Sequence, residues 1–360
     1  LPRGSKSTGH LCDGPPARTP GVVSTALAEP TATATRGAVG TVREQAPVHV
    51  AITAVVIFGP LAGSVVAAVM LLRGEASAVN LAIGLGLYII TGHGVSAGFH
   101  RMCTHRGFRA TRATKIALVI AGSLAFEGGI LSWAANHRRH HAYSDVAGDP
   151  HSPHLSGSSI TGQLRGALHA HIGWFFSPPA QERSRWIPDL CADRDLACID
   201  RLFPLWCAVS LGLPALLGYA ATGTTAGAIG GLIWGGLVRV FLLQQATFAV
   251  NSACHLWGKR PFATRQTDQA RNFAPLALMA LGDNWHNLHH ALPRLARHGV
   301  GRHEWDSTAR LIWLLERLAL VSDVRWPDAA LLGSRRSGPA MTVRTRAPLD
   351  AGKIPEREGV

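Results

Sequence analysis

Four long apolar segments alternate with polar stretches along the central part of the chain. Residues 50–72 form 23 consecutive positions without a charge, and residues 79–99 follow after a short link, RGEAS. Residues 202–221 and 226–250 form a second pair, joined by the uncharged link TGTT. A helix needs about 20 apolar residues to cross a bilayer. The pattern therefore predicts four transmembrane helices arranged as two hairpins.

A fifth apolar run, residues 116–126, is shorter than the other four. It has 11 residues and is followed by Glu127 and two glycines. This length falls well below the ~20 residues that span a bilayer. We expect a buried or interfacial helix here that does not cross the membrane.

The two ends of the chain lack both helical and strand periodicity. Residues 1–46 are rich in Ala, Thr, Pro and Gly, and residues 333–360 have a similar character. We expect disordered tails at both ends and one folded domain over residues 47–332. The predicted fold class is an all-α integral membrane protein, in which a cytoplasmic helical domain caps the four spans.

Charge is scarce in this chain and is carried mostly by arginine. Of 360 residues 16% are charged, and 35 Lys+Arg against 22 Asp+Glu give a net charge of +13. The two predicted outer links hold one basic residue, Arg73, whereas residues 100–115 and 138–201 hold many. Because basic residues concentrate in cytoplasmic loops, we expect both termini and all large polar segments in the cytoplasm. Arginines that follow the inner face of the spans disfavour nucleic-acid binding.

Histidine is abundant, at 18 residues, and eight of these form three clusters. Two clusters have the spacing HxxHH, which projects all three side chains from one helical face. The other pair is five residues apart, which leaves the two rings about 140° apart on a regular α-helix. That pair can converge only where the helix ends or distorts. The clusters are His100 with His105; His137, His140 and His141; and His286, His289 and His290.

Eight clustered histidines exceed what one metal ion can use, so the sequence predicts two metals. Imidazole suits Zn, Cu, Fe and Ni, and a histidine-rich site with few carboxylates favours redox iron. The clusters can share a site only if residues 116–126 do not cross the membrane. The alternative is a basic, histidine-rich face in contact with lipid phosphates.

Isolated histidines are expected to be surface residues or ordinary hydrogen-bonding groups, not metal ligands. These are His10, His49, His93, His298 and His303.

Five segments, in this order and at these separations, resemble the membrane fatty acid desaturases, most closely the bacterial members of the acyl-CoA (stearoyl-CoA) desaturase branch. The resemblance covers residues 48–327, nearly all of the chain between the tails. The segments are GFHRMCTHRGF (98–108), WAANHRRHHAYSDVAGDPHSP (133–153), HAHIGWFF (169–176), NSACHLWGKRP (251–261) and GDNWHNLHHALP (282–293).

The resemblance implies two iron ions held by nine histidines: the eight clustered ones and His255 in NSACHLWG. It also implies that Asn251 contacts the metal site through water. The implied activity uses O2 and the di-iron centre to place a cis double bond, at the delta-9 position, in a long-chain saturated acyl-CoA. Two electrons per turnover come from a separate ferredoxin-like or cytochrome b5-like donor with its reductase. The resemblance assigns no substrate-binding residue and no catalytic residue beyond the metal ligands.

The chain departs from the animal enzymes just before its second histidine cluster. There the animal sequences have tryptophan, alanine, arginine and aspartate, and this chain has Trp133, Ala134, Ala135 and Asn136. The arginine and aspartate help to hold CoA, so acyl-carrier protein and phospholipid remain alternative carriers.

Two other functions compete with the desaturase. Related histidine-box enzymes hydroxylate alkanes, sterols or carotenoids with the same metals. A non-catalytic membrane carrier of metal or haem is the alternative from another class, but its histidines are expected inside the spans. The expected location is the bacterial cytoplasmic membrane, with the active site on the cytoplasmic side.

Overall fold

The computed structural model describes residues 47–177 and 183–337 of this protein. The expected tail over residues 1–46 and the part of the other tail beyond 337 therefore lie outside the described residues. The helices are α1 (Pro47–Leu72), α2 (Ala78–His93), α3 (Arg112–Ser123), α4 (Ile130–Tyr143), α5 (Ile160–His171), α6 (Arg183–Trp186), α7 (Pro188–Cys191), α8 (Arg194–Arg201), α9 (Phe203–Thr222), α10 (Thr225–Gly230), α11 (Arg239–Leu256), α12 (His286–Ala291), α13 (Ser307–Arg317) and α14 (Ala329–Ser334).

Two π-helical segments, two 3₁₀ turns and two short strands complete the elements of the described residues. A π-helical segment, Gly94–Thr104, continues α2, and a second one, Gly231–Val238, joins α10 to α11. Short 3₁₀ turns cover Gly173–Phe176 and Ala274–Leu276. Two strands, β1 (Arg109–Ala110) and β2 (Val321–Ser322), pair antiparallel.

Four helices in the described part of the chain are long and apolar enough to cross a membrane. They are Pro47–Leu72, Ala78–Thr104, Phe203–Thr222 and Thr225–Leu256, at the four places where the sequence predicts spans. Many of their apolar side chains point outward; Val55 is 71% exposed and Leu216 is 63% exposed. Exposed apolar surface on this scale is typical of helices that face lipid. The predicted four-span fold is confirmed.

The fourth span lies at the centre and packs against the other three through its π-helical segment. Glycine permits this close approach. A Cβ atom at Gly84 on α2 would lie 2.9 Å from the carbonyl oxygen of Trp234, and one at Gly231 would lie 2.1 Å from that of Pro214. Small residues at such crossings let membrane helices approach closely enough for good van der Waals packing.

Helix α3 is the short apolar run that the sequence predicts will not cross the membrane. Its 12 residues extend for ~18 Å, against ~30 Å of hydrocarbon. A buried arginine of the fourth span, Arg239, holds its end in place. The guanidinium donates to the carbonyl of Leu124 at 2.7 Å and to the carbonyl and hydroxyl oxygens of Ser210 at 2.9 and 2.8 Å. These bonds fasten α3 to the third and fourth spans.

The cap is built from α4 to α8, α12 to α14 and the connecting loops. Its main core joins the end of the second span to α3, α4, α8 and α13. Residues 333–337, which the sequence analysis assigns to the C-terminal tail, are hydrogen-bonded to this cap. Ala263 donates to the carbonyl of Arg335 at 2.7 Å, and Ser337 donates to that of Pro261 at 2.9 Å. The folded part therefore extends past the expected boundary at 332.

Candidate metal centre

His100 and His105 come together because the second span ends in a π-helix. The backbone N–H of His105 donates to the carbonyl of His100, five residues earlier, at 3.1 Å. Bonds of this i→i+5 type place residues five apart on successive turns. The two imidazole rings therefore lie 5.0 Å apart between centroids. The helix distortion that the spacing requires is present.

Five histidines form the first group of the site. Nε2 of His289 lies 3.0 Å from that of His100 and 2.8 Å from that of His141. Nε2 of His141 lies 3.1 Å from that of His137. The ring nitrogens of His100, His105, His137 and His289 all lie within 4.8 Å of one another.

Four histidines form the second group. Nε2 of His286 lies 3.1 Å from that of His255 and 3.0 Å from that of His290. Nε2 of His290 lies 3.3 Å from that of His140. His255, which is a predicted metal ligand only through the family resemblance, therefore converges with three of the clustered histidines.

Each HxxHH cluster contributes to both groups. On α4 the outer histidines, His137 and His141, face the first group, while His140 faces the second. On α12 the outer histidines, His286 and His290, face the second group, while His289 faces the first. The first and third positions are one helical turn apart, and the middle one is rotated away from them. Two helices with the same spacing thus build two adjacent sites.

Carboxylates, three of them buried and that of Asp283 partly exposed, lie at the outer nitrogens of four histidines. A carboxylate that accepts from Nδ1–H fixes the ring and leaves the Nε2 lone pair directed inward. The sequence motifs do not single out these carboxylates, although each stands in or near a histidine motif. The Nδ1-to-oxygen pairs are His100–Asp283 at 3.3 Å, His140–Asp149 at 2.9 Å, His255–Asp145 at 2.8 Å and His290–Asp268 at 2.9 Å.

Most of the clustered imidazoles are held neutral. Burial lowers the pKa of six of them well below the usual value, and the neighbouring imidazoles lower each pKa further. Neutral imidazole is the form that binds metal. These six are His105, His137, His141, His286, His289 and His290.

The donor set fits two transition-metal ions. His140 and His290 each direct Nδ1 at a carboxylate, so their Nε2 atoms, 3.3 Å apart, face each other as lone pairs. Only a cation between such lone pairs turns their repulsion into binding. Two imidazole nitrogens at ~2.1 Å from one metal are themselves about 3.0–3.4 Å apart. The separations in both groups, 2.8–3.3 Å, are close to this spacing.

An apolar cavity adjoins both groups. His100 and His137 of the first group and His286 of the second reach its wall. Trp133 also lines it and stacks on the ring of His137, with 4.9 Å between the ring centroids. The apolar part of the wall comes from Val95, Leu243, Ala246, Val250, Met279 and Leu281.

Asn251 lies on the same cavity, one helical turn before His255 on α11. It is half-buried, and its part in the site stays a prediction.

His298, one of the isolated histidines, is buried beside the first histidine group. Its side chain is fully buried, its ring centroid lies 4.6 Å from that of His289, and Nδ1 lies 3.5 Å from Oδ1 of Asp283. Burial, and then the charge of Arg101, lowers its pKa to about 4. His298 stands in the segment ARHG, eight residues after the last cluster, and its spacing does not mark it as part of the site.

The other isolated histidines behave as expected where the structure describes them. His93 is a hydrogen-bonded group, with Nδ1 2.7 Å from the carbonyl of Ile89 and Nε2 3.2 Å from the hydroxyl of Ser307. His49 and His303 are exposed. His10 lies outside the described residues.

Comparison with known proteins identifies similar chains. The family model described as fatty acid desaturase matches residues 77–309. A hex-5-enoyl-(acyl-carrier protein) acetylenase of Moorena producens is 36% identical over 279 residues, covering 77% of this chain and 86% of the relative. An sn-1 stearoyl-lipid 9-desaturase of Anabaena variabilis is 34% identical over 252 residues, covering 68% and 84%. A probable acyl-CoA desaturase of Schizosaccharomyces pombe is 33% identical over 246 residues, covering 67% and 48%.

Proposed function

Because this chain belongs to the fatty acid desaturase family, whose members are oxidoreductases, we propose that it places a cis double bond in a long-chain saturated fatty acyl thioester. The reaction uses two iron ions, O2 and electrons from a separate donor. The single observation that carries the proposal is the apolar cavity whose wall includes histidines of both groups. A methylene chain in that cavity lies beside both metal positions.

The chemistry explains why metals are needed. No amino-acid side chain oxidises an unactivated methylene, and iron bound by the histidines supplies that oxidising power when O2 is present. The acyl chain loses two hydrogen atoms, one from each of two adjacent carbons. Together with O2, two external electrons and two protons, these give one carbon–carbon double bond and two molecules of water.

The residues of the chain position the substrate and the ligands. The apolar wall favours methylenes that it buries, by ~0.8 kcal/mol for each CH₂. The carboxylates behind the histidines fix the orientation of the rings. Asn251, on the cavity wall, is our candidate for a metal contact through water.

The carrier of the acyl chain is a finer part of the proposal. We propose acyl-CoA as the first substrate to test and delta-9 as the first position. The similar proteins have names that specify acyl-carrier protein, acyl-lipid and acyl-CoA substrates. Ala135 and Asn136 stand where CoA-binding residues occur in the animal enzymes, which supports testing acyl-carrier protein beside CoA.

We also propose that the histidine groups and both termini face the cytoplasm of a bacterial cell. The support is the distribution of basic residues. The link after α1 has one basic residue, Arg73, whereas residues 100–115 have several. A green fluorescent protein fused to the C-terminus should fluoresce in a bacterial host. A non-fluorescent fusion at normal expression contradicts this orientation.

The decisive experiment is expression in a host that cannot desaturate fatty acids. Mass spectrometry of the lipids should show a new alkene with wild type, and the position of the double bond follows from the fragments. His140→Ala should abolish the product, whereas His303→Ala, at an exposed histidine, should retain it. A hydroxylated product supports the hydroxylase instead. Bound iron without O2 consumption, given acyl substrate and reductant, supports a non-catalytic carrier.

A further inference from the structure

A second opening reaches the histidines from a basic surface. This depression is lined by two metal-site histidines, His105 and His141, and by three arginines, Arg106, Arg138 and Arg294. It shares no lining residue with the apolar cavity, which is lined instead by His100, His137 and His286. The histidine groups therefore have one apolar approach and one basic approach.

The charge around this depression is poorly balanced. Arg106 and Arg138 share a single carboxylate, Asp189, with N-to-O distances of 2.6 Å each. Arg294 has no carboxylate partner within residues 47–177 and 183–337. Partial burial, and then repulsion from Arg325 and Arg106, lowers the pKa of Arg294. Four arginines thus lie near one aspartate and leave a strongly positive patch.

The four arginines have different structural duties. Arg138 donates to the carbonyls of Thr104, Cys103 and Trp186 and so supports the fold. The side chains of Arg294 and Arg325 are exposed and make no hydrogen bond in the part of the chain that the structure describes. The contacts in this part of the chain therefore show no structural role for the positive charges of Arg294 and Arg325. Positive charge kept on a surface beside a redox centre steers a negatively charged partner toward it.

We propose that this depression, lined by Arg106, Arg138 and Arg294 around His105 and His141, is together with the neighbouring Arg325 the docking surface for a small acidic one-electron carrier protein. The inference rests on the proposed function, because desaturation consumes two external electrons per double bond. Each docked carrier is oxidised by one electron, so two successive dockings supply one turnover. The carrier can bind while an acyl chain occupies the separate apolar cavity.

An acidic acyl-carrier protein is the competing occupant of a basic surface. Its acyl chain has to enter the apolar cavity, which shares no lining residue with this depression. His105 and His141, by contrast, give a carrier docked here a short path to the first histidine group. The observations therefore favour the electron carrier.

Binding tests the surface without catalysis. The full chain in nanodiscs is titrated with two oxidised probes, plant-type [2Fe–2S] ferredoxin and the soluble domain of cytochrome b5. For at least one probe, wild type should show an affinity that falls steeply as salt rises. The double variant Arg294→Glu, Arg325→Glu should weaken that binding about tenfold and flatten the salt dependence. Arg73→Glu, an exposed arginine in the link after α1, should behave as wild type.

Rate measurements separate this inference from the proposed function. Reduction of the iron-loaded protein is followed with the reduced carrier and, separately, with a neutral dihydrophenazine mediator that needs no docking. The ratio of carrier-driven to mediator-driven rate should fall about tenfold in the double variant. If wild type makes no alkene with either reductant, the proposed function fails, while the binding measurement still decides the docking surface.

Three outcomes overturn the inference. One is salt-independent or absent binding of both probes to wild type. Another is equal carrier affinity in wild type and the double variant. The third is an unchanged carrier affinity together with a raised KM for an acyl-carrier-protein substrate, which assigns the surface to that protein.

Discussion

His255 and Asp145 form a fully buried pair in which the imidazole Nδ1 lies 2.8 Å from the carboxylate Oδ2. The same carboxylate oxygen accepts from the backbone N–H of Gln269 at 2.8 Å, and Oδ1 accepts from the hydroxyl of Ser152 at 2.7 Å. Asp145 has a positive φ of 61°, a conformation that Asp and Asn tolerate best among side-chain-bearing residues. This residue therefore fixes both a ring orientation and a loop.

Asp145→Asn should weaken metal binding at the four-histidine group about 10–100-fold. Asparagine keeps the positive φ and can still accept a hydrogen bond, but it lacks the charge that raises the basicity of the ring. Iron retained against increasing chelator measures the effect. Asp323→Asn is the matched control, because Asp323 also has a positive φ, 52°, but is exposed. Equal iron retention in both variants contradicts a positioning role for Asp145.

His255→Ala should remove one of the two irons and leave the other. His255 converges only with the four-histidine group, through the 3.1 Å contact between its Nε2 and that of His286. The five histidines of the other group keep their separations. Metal analysis should give one iron per chain, with two in wild type and in His303→Ala. Loss of both irons, or of neither, is incompatible with two separate groups.

Arg101→Met should lower the free energy of unfolding by about 3–5 kcal/mol. The guanidinium is fully buried and pairs with Asp306 and Asp283, at 3.0 Å each, while donating to the carbonyl of Ala296 at 2.7 Å. Its loss leaves the buried carboxylate of Asp306 and the partly exposed one of Asp283 without a counter-charge.

The matched control for Arg101 is Arg109→Met. Arg109 and Asp323 are 82% and 67% exposed and lie 3.3 Å apart, so their pairing is worth less than ~1 kcal/mol. Thermal unfolding in one detergent compares the two variants with wild type. Similar melting temperatures for both variants would show that the buried network is not a major source of stability.

Glu127→Gln should stabilise the protein at alkaline pH. Burial raises the pKa of Glu127 from its ordinary 4.5 to about 8. A hydrogen bond with Thr247 opposes this shift but does not cancel it. A glutamine amide has nearly the same shape as the carboxyl group and stays neutral at every pH.

The pH dependence of this effect has a definite sign. Between pH 4.5 and about 8 the folded chain keeps the proton of Glu127 and the unfolded chain has lost it. Stability therefore falls as pH rises through this window and is constant above it. The glutamine variant lacks this loss, worth up to about 5 kcal/mol at pH 9. The melting temperatures of wild type and Glu127→Gln should diverge as pH rises from 6 to 9. Parallel curves for the two proteins would falsify a neutral carboxyl group at Glu127.

The spans and the histidine clusters could be predicted from the sequence because both depend on local spacing. An uncharged run such as residues 50–72 determines a spanning helix by its length and composition. The HxxHH spacing determines which side chains share a helical face. The short run at residues 116–126 was also predictable, because 11 residues cannot cross the hydrocarbon.

Other parts of the site required knowledge of how distant segments pack. His140 and His141 are neighbours in the chain, yet they belong to different groups, because each group is completed by histidines about 150 positions away. The burial of His298 follows from its packing against His100 and His289, and the carboxylate behind His255 comes from the loop after α4. Spacing along the chain contains no information on such contacts.

The sequence by itself thus determined a four-span helical membrane protein with enough clustered imidazole for two metal ions. Only the tertiary structure decided the division into five and four histidines, the carboxylates that orient them and the separate apolar and basic approaches. The physical reason is the range of the interactions. Helix formation and membrane insertion depend on neighbouring residues, whereas ring orientation, burial and access depend on residues that meet only when the spans and the cap pack together.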